Sequence, residues 1–278
     1  MLPNQTIQPL LISFKAEDGT LNWIFNLLEE KRYTDLAQIT PTSTIRAYPS
    51  FPVAGKDGNL YLGFGPTLFA IDAETGEPQW KKIIEVKDGW QNNLENTFSI
   101  GAGTNGIYFI VKQAAYVWPP DSTTAAHSNF LYALKLDQIN STSTFISTEE
   151  IKWEPINIFN SGGPILIGKD GTLYLRGYNY YEAWGEPHHI YSFLRILNNG
   201  EVTSTPLDYS FSPQLIDNED KIYGSYVNES VIALNSQGNE IWRYYGGGAP
   251  NYFVFPFALS KEDILYAPTP KTLFAFGQ

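Results

Sequence analysis

The three histidines of this chain are its side chains best suited to proton transfer or metal binding, and each has acids nearby. His127 follows Asp121, and the pair His188 and His189 follows Glu182 and Glu186. Imidazoles converging with carboxylates can bind zinc or another transition metal. Two glutamates with His188 could instead serve a lyase or hydrolase as general acid and base. The spacing argues against both. The histidines show no i, i+2 or i, i+4 relation among themselves, and adjacent His188 and His189 point to opposite sides if the chain there is extended. No Asp-x-Asp-x-Asp calcium loop occurs, and Gly-x-Ser-x-Gly, Gly-Lys-Ser/Thr and His-Glu-x-x-His are all missing. The sequence therefore leads us to expect no metal, no bound cofactor and no catalytic residue.

A second group of side chains is suited to holding a ligand. Trp90, Tyr116, Trp118, Tyr178, Tyr180, Trp184 and Tyr252, with His188 among them, lie in segments rich in amides and acids. Aromatic rings offer a large apolar area with a polar tip at little entropic cost, which suits stacking on sugars, peptides or a planar cofactor. The alternative is that such rings form small cores of their own inside long loops.

A repeated phrase supplies the scaffold. Its clearest copy runs Pro52-Val53-Ala54-Gly55-Lys56-Asp57-Gly58-Asn59-Leu60-Tyr61-Leu62, then Leu68-Phe69-Ala70-Ile71-Asp72-Ala73-Glu74-Thr75-Gly76, and closes on Gln79-Trp80. The Tyr recurs at Tyr61, Tyr108, Tyr174, Tyr223 and Tyr266, and Pro52, Pro164, Pro213 and Pro256 each precede one of these by nine or ten positions. Between Pro and Tyr lies a turn, such as Lys169-Asp170-Gly171-Thr172 or Asp217-Asn218-Glu219-Asp220. Gly supplies the positive φ of a tight hairpin, and Asn or Asp tolerates it next best. A third strand centred on Ala or Ser recurs at Leu11–Phe14, Leu131–Leu134, Ile190–Phe193, Val231–Leu234 and Leu273–Phe276, and Trp23, Trp80, Trp153 and Trp242 mark a fourth. Repeats of roughly 40–50 residues, each of several short strands, indicate a radial array of small sheets. The expected fold is all-β: a β-propeller of four-stranded antiparallel blades forming one domain over residues 1–278. Helix is expected only as a turn or two near Leu28 to Ala37.

These residues resemble the pyrroloquinoline-quinone-like (PQQ-like) propeller repeat, D-G-x-[VL]-Y-[VL]-G followed by L-[YF]-A-[LI]-D-A-x-T-G-x-x-x-W. Residues 57–80 match it nearly throughout, and 11–23 and 217–242 match well. Residues 98–153 and 161–205 are degenerate, the latter carrying Glu201-Val202-Thr203-Ser204 where the Trp strand belongs. The resemblance implies architecture more than activity, because a repeat motif encodes packing between blades and not a site. The quinone dehydrogenases of this family have eight blades and a vicinal Cys pair, and this chain has no Cys. The resemblance thus implies a non-catalytic binding or assembly module, with a quinone-dependent oxidoreductase fragment or a propeller-based carbohydrate-active enzyme as the alternatives.

Strand parity locates the candidate site. In an antiparallel blade the second-to-third and fourth-to-first links leave from one end, and the other links from the opposite end. The sequence places tight turns at one end and its long insertions, residues 28–49, 83–97, 112–130, 176–189 and 244–252, at the other. Elaborated loops on a rigid scaffold carry binding residues, so the insertion end is the expected site. Strand counting leaves three alternatives: five blades closed by Leu21–Phe25 pairing with Leu273–Phe276, six blades with incomplete terminal ones, or part of a larger propeller.

Composition limits the partners. With 29 acidic against 18 basic residues the net charge is −11, which leaves no basic face for a phosphate backbone and excludes nucleic acid as an expected partner. No apolar run is long enough to span a membrane as a helix. Met1-Leu2-Pro3-Asn4-Gln5 lacks the regions of a signal peptide. The lack of Cys is compatible with a bacterial extracytoplasmic domain. The expected state is a monomer with a protein or glycan ligand.

Overall fold

The computed structural model describes residues 10–27, 50–64, 67–83, 90–104, 106–115, 127–143, 145–158, 164–183, 186–226, 230–246, 257–269 and 271–277. These form six antiparallel sheets in chain order. β1 (Leu10–Phe14) and β2 (Leu21–Asn26) make a two-stranded sheet. Four-stranded sheets follow: β3 (Val53–Ala54) to β6 (Pro78–Ile83), β7 (Trp90–Ala102) to β10 (Ile156–Asn157), β11 (Leu166–Ile167) to β14 (Val202–Leu207), and β15 (Phe211–Ile216) to β18 (Glu240–Tyr245). β19 (Ala258–Leu259), β20 (Leu265–Pro268) and β21 (Leu273–Phe276) make a three-stranded sheet. The only helical turn among the described residues is a 3-10 turn at Leu136–Gln138. The helix expected near Leu28 to Ala37 falls outside the described residues.

The strand period of two explains how the sheets stack. Along β4 (Asn59–Phe64) and β5 (Thr67–Asp72), Tyr61, Leu68 and Ala70 pack against the next sheet, while Leu62, Phe64, Phe69 and Ile71 pack against the preceding one. Five apolar layers therefore separate six sheets, and each layer draws on two neighbours in sequence. First strands of adjacent middle sheets touch, β3 with β7, β7 with β11 and β11 with β15. That contact makes them the inner ring.

The turns obey the chemistry read from the sequence. Gly55, Gly168, Asp217 and Ser260 each donate their N–H to the carbonyl four residues on, at 2.8 to 3.0 Å. The positive φ falls on Gly58 (85°) and Gly171 (83°) in two of these turns, and on Asp220 and Asp263 (both 59°) in two that have no Gly. An Asp in this conformation bears a steric cost that Gly escapes. Asp217 offsets it by accepting from the N–H groups of Glu219 and Lys221 and from the Tyr223 hydroxyl at 2.9 Å.

The fourth-strand Trp residues lie against the second-strand Tyr of their own sheets: Trp80 on Tyr61 (5.9 Å between centroids), Trp153 on Tyr108 (6.4 Å) and Trp242 on Tyr223 (6.2 Å). They are half-buried. Trp153 differs from expectation in preceding β10 instead of lying within a strand, because the fourth strand of that sheet is reduced to Ile156–Asn157. The third-to-fourth turn of the next sheet closes over the indole: a Cβ on Gly76 would lie 2.6 Å from the Trp23 ring, and one on Gly200 3.0 Å from Trp153. Trp23 Nε1 also donates to Ala73 O at 3.1 Å. In the sheet that lacks Trp, Thr205 takes over this bond by donating to Gln237 O at 2.9 Å.

The terminal sheets bear on the first of the alternatives left by strand counting. β2 pairs with β1, β21 pairs with β20, and no ladder joins β2 to β21 among the described residues. The five-blade closure through a β2–β21 ladder is thus not formed among the described residues. Ile12 and Phe14 stand where Phe69 and Ile71 stand in the next sheet, yet Phe14 is 59% exposed against 0% for Ile71.

Candidate functional site

Where the structure describes them, the insertions continue the strands of the blades. Residues 90–97, 112–115, 127–130, 176–183 and 186–189 all lie in strands: β7, β8 (Ile107–Ala115), β9 (His127–Leu134), β12 (Leu173–Ala183) and β13 (Glu186–Ile196). Aromatic residues, which favour strands, recur in them at Trp90, Phe130, Tyr178, Tyr180 and Tyr181, and two neighbouring strands lengthen together. β12 and β13 pair over eleven residues each, whereas β16 (Ile222–Tyr226) and β17 (Ser230–Leu234) pair over five. The β12–β13 hairpin therefore runs well past the common blade length.

The expected ligand residues distribute as follows. Tyr178 is half-buried in β12 and packs on Tyr191 of β13 at 5.6 Å between ring centroids. It lines a cavity of about 290 Å³ with Asn157, Ile158, Ile190 and Ser192. Trp90 opens β7, and Tyr180 and His188 lie in β12 and β13, where the ladder pairs Tyr180 with His189 and Tyr181 with His188. Tyr116, Trp118, Trp184 and Tyr252 lie outside the described residues. Among the described residues no group of three His, Asp or Glu side chains is placed to hold a metal.

The opposite end carries features that the sequence reading missed. A cavity of about 440 Å³ crosses the inner turns of four successive sheets and is lined by Lys56, Thr104, Lys169, Asp170, Asn198, Asp217 and Asp220. Its carboxylates already serve the turns. Asp170 accepts from Thr172 N at 2.8 Å and from its hydroxyl at 2.9 Å, and the backbone bond foremost holds its carboxyl below the ordinary carboxylate range. Repetition of Lys-Asp-Gly in the turns was the available signal, since turns repeated around a ring converge on its axis.

That end also bears a long link, contrary to the expectation that it holds tight turns alone. Residues 135–155 join β9 to β10 and fold outward onto β6 of the preceding sheet, where Ile83 bridges Phe145. Lys82, fully buried, meets Glu150, itself 1% exposed, at 2.6 Å. Lys82 also donates to Asn140 O at 2.6 Å and to the Ser143 hydroxyl, while Glu150 accepts from Asn140 N at 2.8 Å and Ser147 N at 2.6 Å. Burial alone would raise the Glu150 carboxyl, but the bonds from Lys82, Ser147 and Asn140 outweigh it and hold it below the ordinary value of 4.5. This network is structural, because every charged atom is satisfied within it.

Comparison with known proteins defines the class. No protein-family model matches the chain. Over 55 residues it is 33% identical to an ornithine carbamoyltransferase of Caldanaerobacter subterraneus subsp. tengcongensis, a stretch covering 20% of this chain and 17% of that one. Among solved structures it resembles the Dos1 propeller (TM-score 0.54, 10% identity, 96% of this chain and 62% of that one). Others are a protein of unknown function from Bacteroides caccae (0.49, 12%, 94% and 82%) and BamB from Moraxella catarrhalis (0.32, 13%, 96% and 87%). The sheets and the likeness to the Dos1 propeller make this chain a β-propeller protein, and at such identity the likeness concerns fold alone. No helix among the described residues is long and apolar enough to cross a membrane.

Proposed function

We propose that the chain is a non-catalytic binding or assembly module of the PQQ-like propeller type, working outside the cytoplasm. It engages a protein or glycan through the end where β7–β8 and β12–β13 outgrow their blades. The observation that carries this reading is the eleven-residue β12–β13 ladder, which projects Tyr178 and Tyr191 as a packed pair and continues through Tyr180, Tyr181, His188 and His189. A two-stranded ladder anchored in a blade fixes its backbone before a ligand arrives, so that little ordering entropy is lost on binding. Trp90, Tyr116, Trp118, Tyr178, Tyr180, Trp184, His188 and Tyr252 are the proposed contact residues.

The test is a thermal-shift screen of the purified chain against glycans and against pyrroloquinoline quinone, since a ligand that binds only the folded state raises Tm. A glycan that raises Tm, with the effect weakened in Trp118→Ala and Trp184→Ala, supports the reading. A rise with quinone alone contradicts it.

A further inference from the structure

Two polar groups are buried without a partner where the β11–β14 sheet meets the β15–β18 sheet: Nε of Arg176, and the hydroxyl of the fully buried Ser230. Register places both. Arg176 lies two residues from Tyr174 and two from Tyr178 along β12, and its partner on β13 is Phe193, flanked at the same spacing by Tyr191 and Arg195. These side chains share one face. That face turns to the β15–β18 sheet, because Tyr174 and Phe193 pack there with Ile222, Ile232 and Leu234, and Phe193 meets Phe211 edge-on at 6.3 Å. On the facing sheet a cross-strand row runs from Phe211 through Tyr226 and Ser230 to Tyr245. The row stands at the insertion end, where β15 and β17 begin and β16 and β18 finish.

Two arginines of this junction are treated differently. Arg243 lies over the Tyr209 ring at 4.4 Å and is paired with Glu240. Arg176 is half-buried, and no hydrogen bond or ion pair to its guanidinium forms among the described residues. Acids outnumber bases 29 to 18 in this chain, so the missing counter-charge is a property of the place and not of supply. A partly desolvated guanidinium without an acceptor is costly and calls for an anion. What surrounds it selects the carrier. The junction lies between two sheet faces, and a face presents side chains while backbone groups point along the sheet. A peptide wedged there would leave its own N–H and C=O groups unpaired. A sugar ring instead lays its apolar face on Tyr and matches hydroxyl to hydroxyl.

We propose that this junction takes a carboxylated sugar, a uronic acid residue of an acidic glycan, with its carboxylate on Arg176 and its ring against Tyr178, Tyr191 and Tyr226. The planar guanidinium pairs with a carboxylate through two parallel bonds, which an ammonium cannot do. Tyr178 and Tyr191 stand between Arg176 and the tip of the β12–β13 hairpin, so a ring resting on them brings a carboxylate towards Arg176. The Ser230 hydroxyl, on the facing row, is left for a sugar hydroxyl. Such a site rests on the binding role proposed above for this end, and adds the charge of the ligand and the residue that reads it.

The probes are oligomers of galacturonic, glucuronic and mannuronic acid, titrated calorimetrically into the purified chain beside their methyl esters, which keep the ring and remove the charge. Saturable binding of at least one acid is expected, with its ester weaker by about tenfold or more. Arg176→Gln should weaken the acid by about tenfold or more, and Arg176→Lys by less, because Lys keeps the charge without the fork. The Tm of Arg176→Gln should equal or exceed that of wild type, since the substitution removes a charge without a partner. A fall of more than a few degrees in both variants would give Arg176 a structural role and overturn the inference. Undiminished affinity in Arg176→Gln, or saturable binding of no uronate, does the same. Arg176-dependent binding of a polyglutamate peptide with every uronate failing would assign the junction to a protein and contradict it. Neutral glycans that bind wild type and Arg176→Gln alike, with every uronate failing, would overturn it while leaving the binding role of this end intact.

Discussion

Replacing Glu150 by Ala removes the one anion that pairs with the fully buried Lys82 ammonium among the described residues. The Lys82 side chain would keep Asn140 O and Ser143 Oγ as partners but lose its counter-charge, and the N–H groups of Asn140 and Ser147 would lose their acceptor. Breaking a buried pair in this way costs about 3–5 kcal/mol. The double variant Lys82→Met/Glu150→Leu separates the terms. It removes the stranded charge, which by itself makes such replacements neutral or better. It still orphans two backbone N–H groups, at about 1–3 kcal/mol each. The double variant should therefore remain destabilised, by at most the sum of those two terms, about 2–6 kcal/mol, and by less than Glu150→Ala, which orphans the same groups and strands the charge as well. Urea unfolding at neutral pH, with the m-value held as a check on the end states, measures both. A loss under about 1 kcal/mol for Glu150→Ala would refute the reasoning, since residues 135–155 would then be held onto β6 by other contacts.

The same carboxylate sets a pH dependence. Its folded pKa lies below its ordinary 4.5, so its stabilisation is complete above that pH and is lost as pH falls through the folded value; the wild-type urea midpoint should drop more steeply below pH 4.5 than that of Glu150→Ala. Gly58→Ala and Gly76→Ala both place a side chain at positive φ, but only the latter meets the Trp23 ring. Gly58→Ala should cost about 1–2 kcal/mol, and Gly76→Ala measurably more in the same urea assay; equal losses would show that Trp23 yields without cost. Trp80→Ala should cost about 2–3 kcal/mol, below the range for a fully buried Trp, because the indole is half-exposed on Tyr61.

The repeat made much of this fold legible because each strand serves two interfaces. Tyr61 and Leu62 point to opposite layers, and that alternation, repeated at Tyr108, Tyr174, Tyr223 and Leu265, is written in the sequence as surely as in the sheets. Turn chemistry was equally local: Asp220 and Asp263 adopt the positive φ that Gly58 and Gly171 take elsewhere. What failed to show was non-local. Nothing in residues 135–155 announces that Glu150 reaches back to Lys82, because a single Lys and a single Glu at that separation carry no pattern. Residues 176–189 read as a loop since they exceed the repeat, yet cross-strand pairing of Tyr178 with Tyr191 extends the ladder. β2 pairs with β1, its neighbour in sequence, across a short turn in which Gly19 N donates to Lys15 O at 2.9 Å, a pairing that counting strands alone leaves open.

The binding role of the extended end is tested most directly by calorimetric titration of the first glycan or protein ligand found into wild type, Trp118→Ala and Trp184→Ala. The account predicts affinity reduced by about tenfold or more in each variant, with the melting temperature of the free protein unchanged within a few degrees. Undiminished affinity in both variants, together with loss of binding on substituting Lys56 or Lys169 at the opposite end, would contradict it.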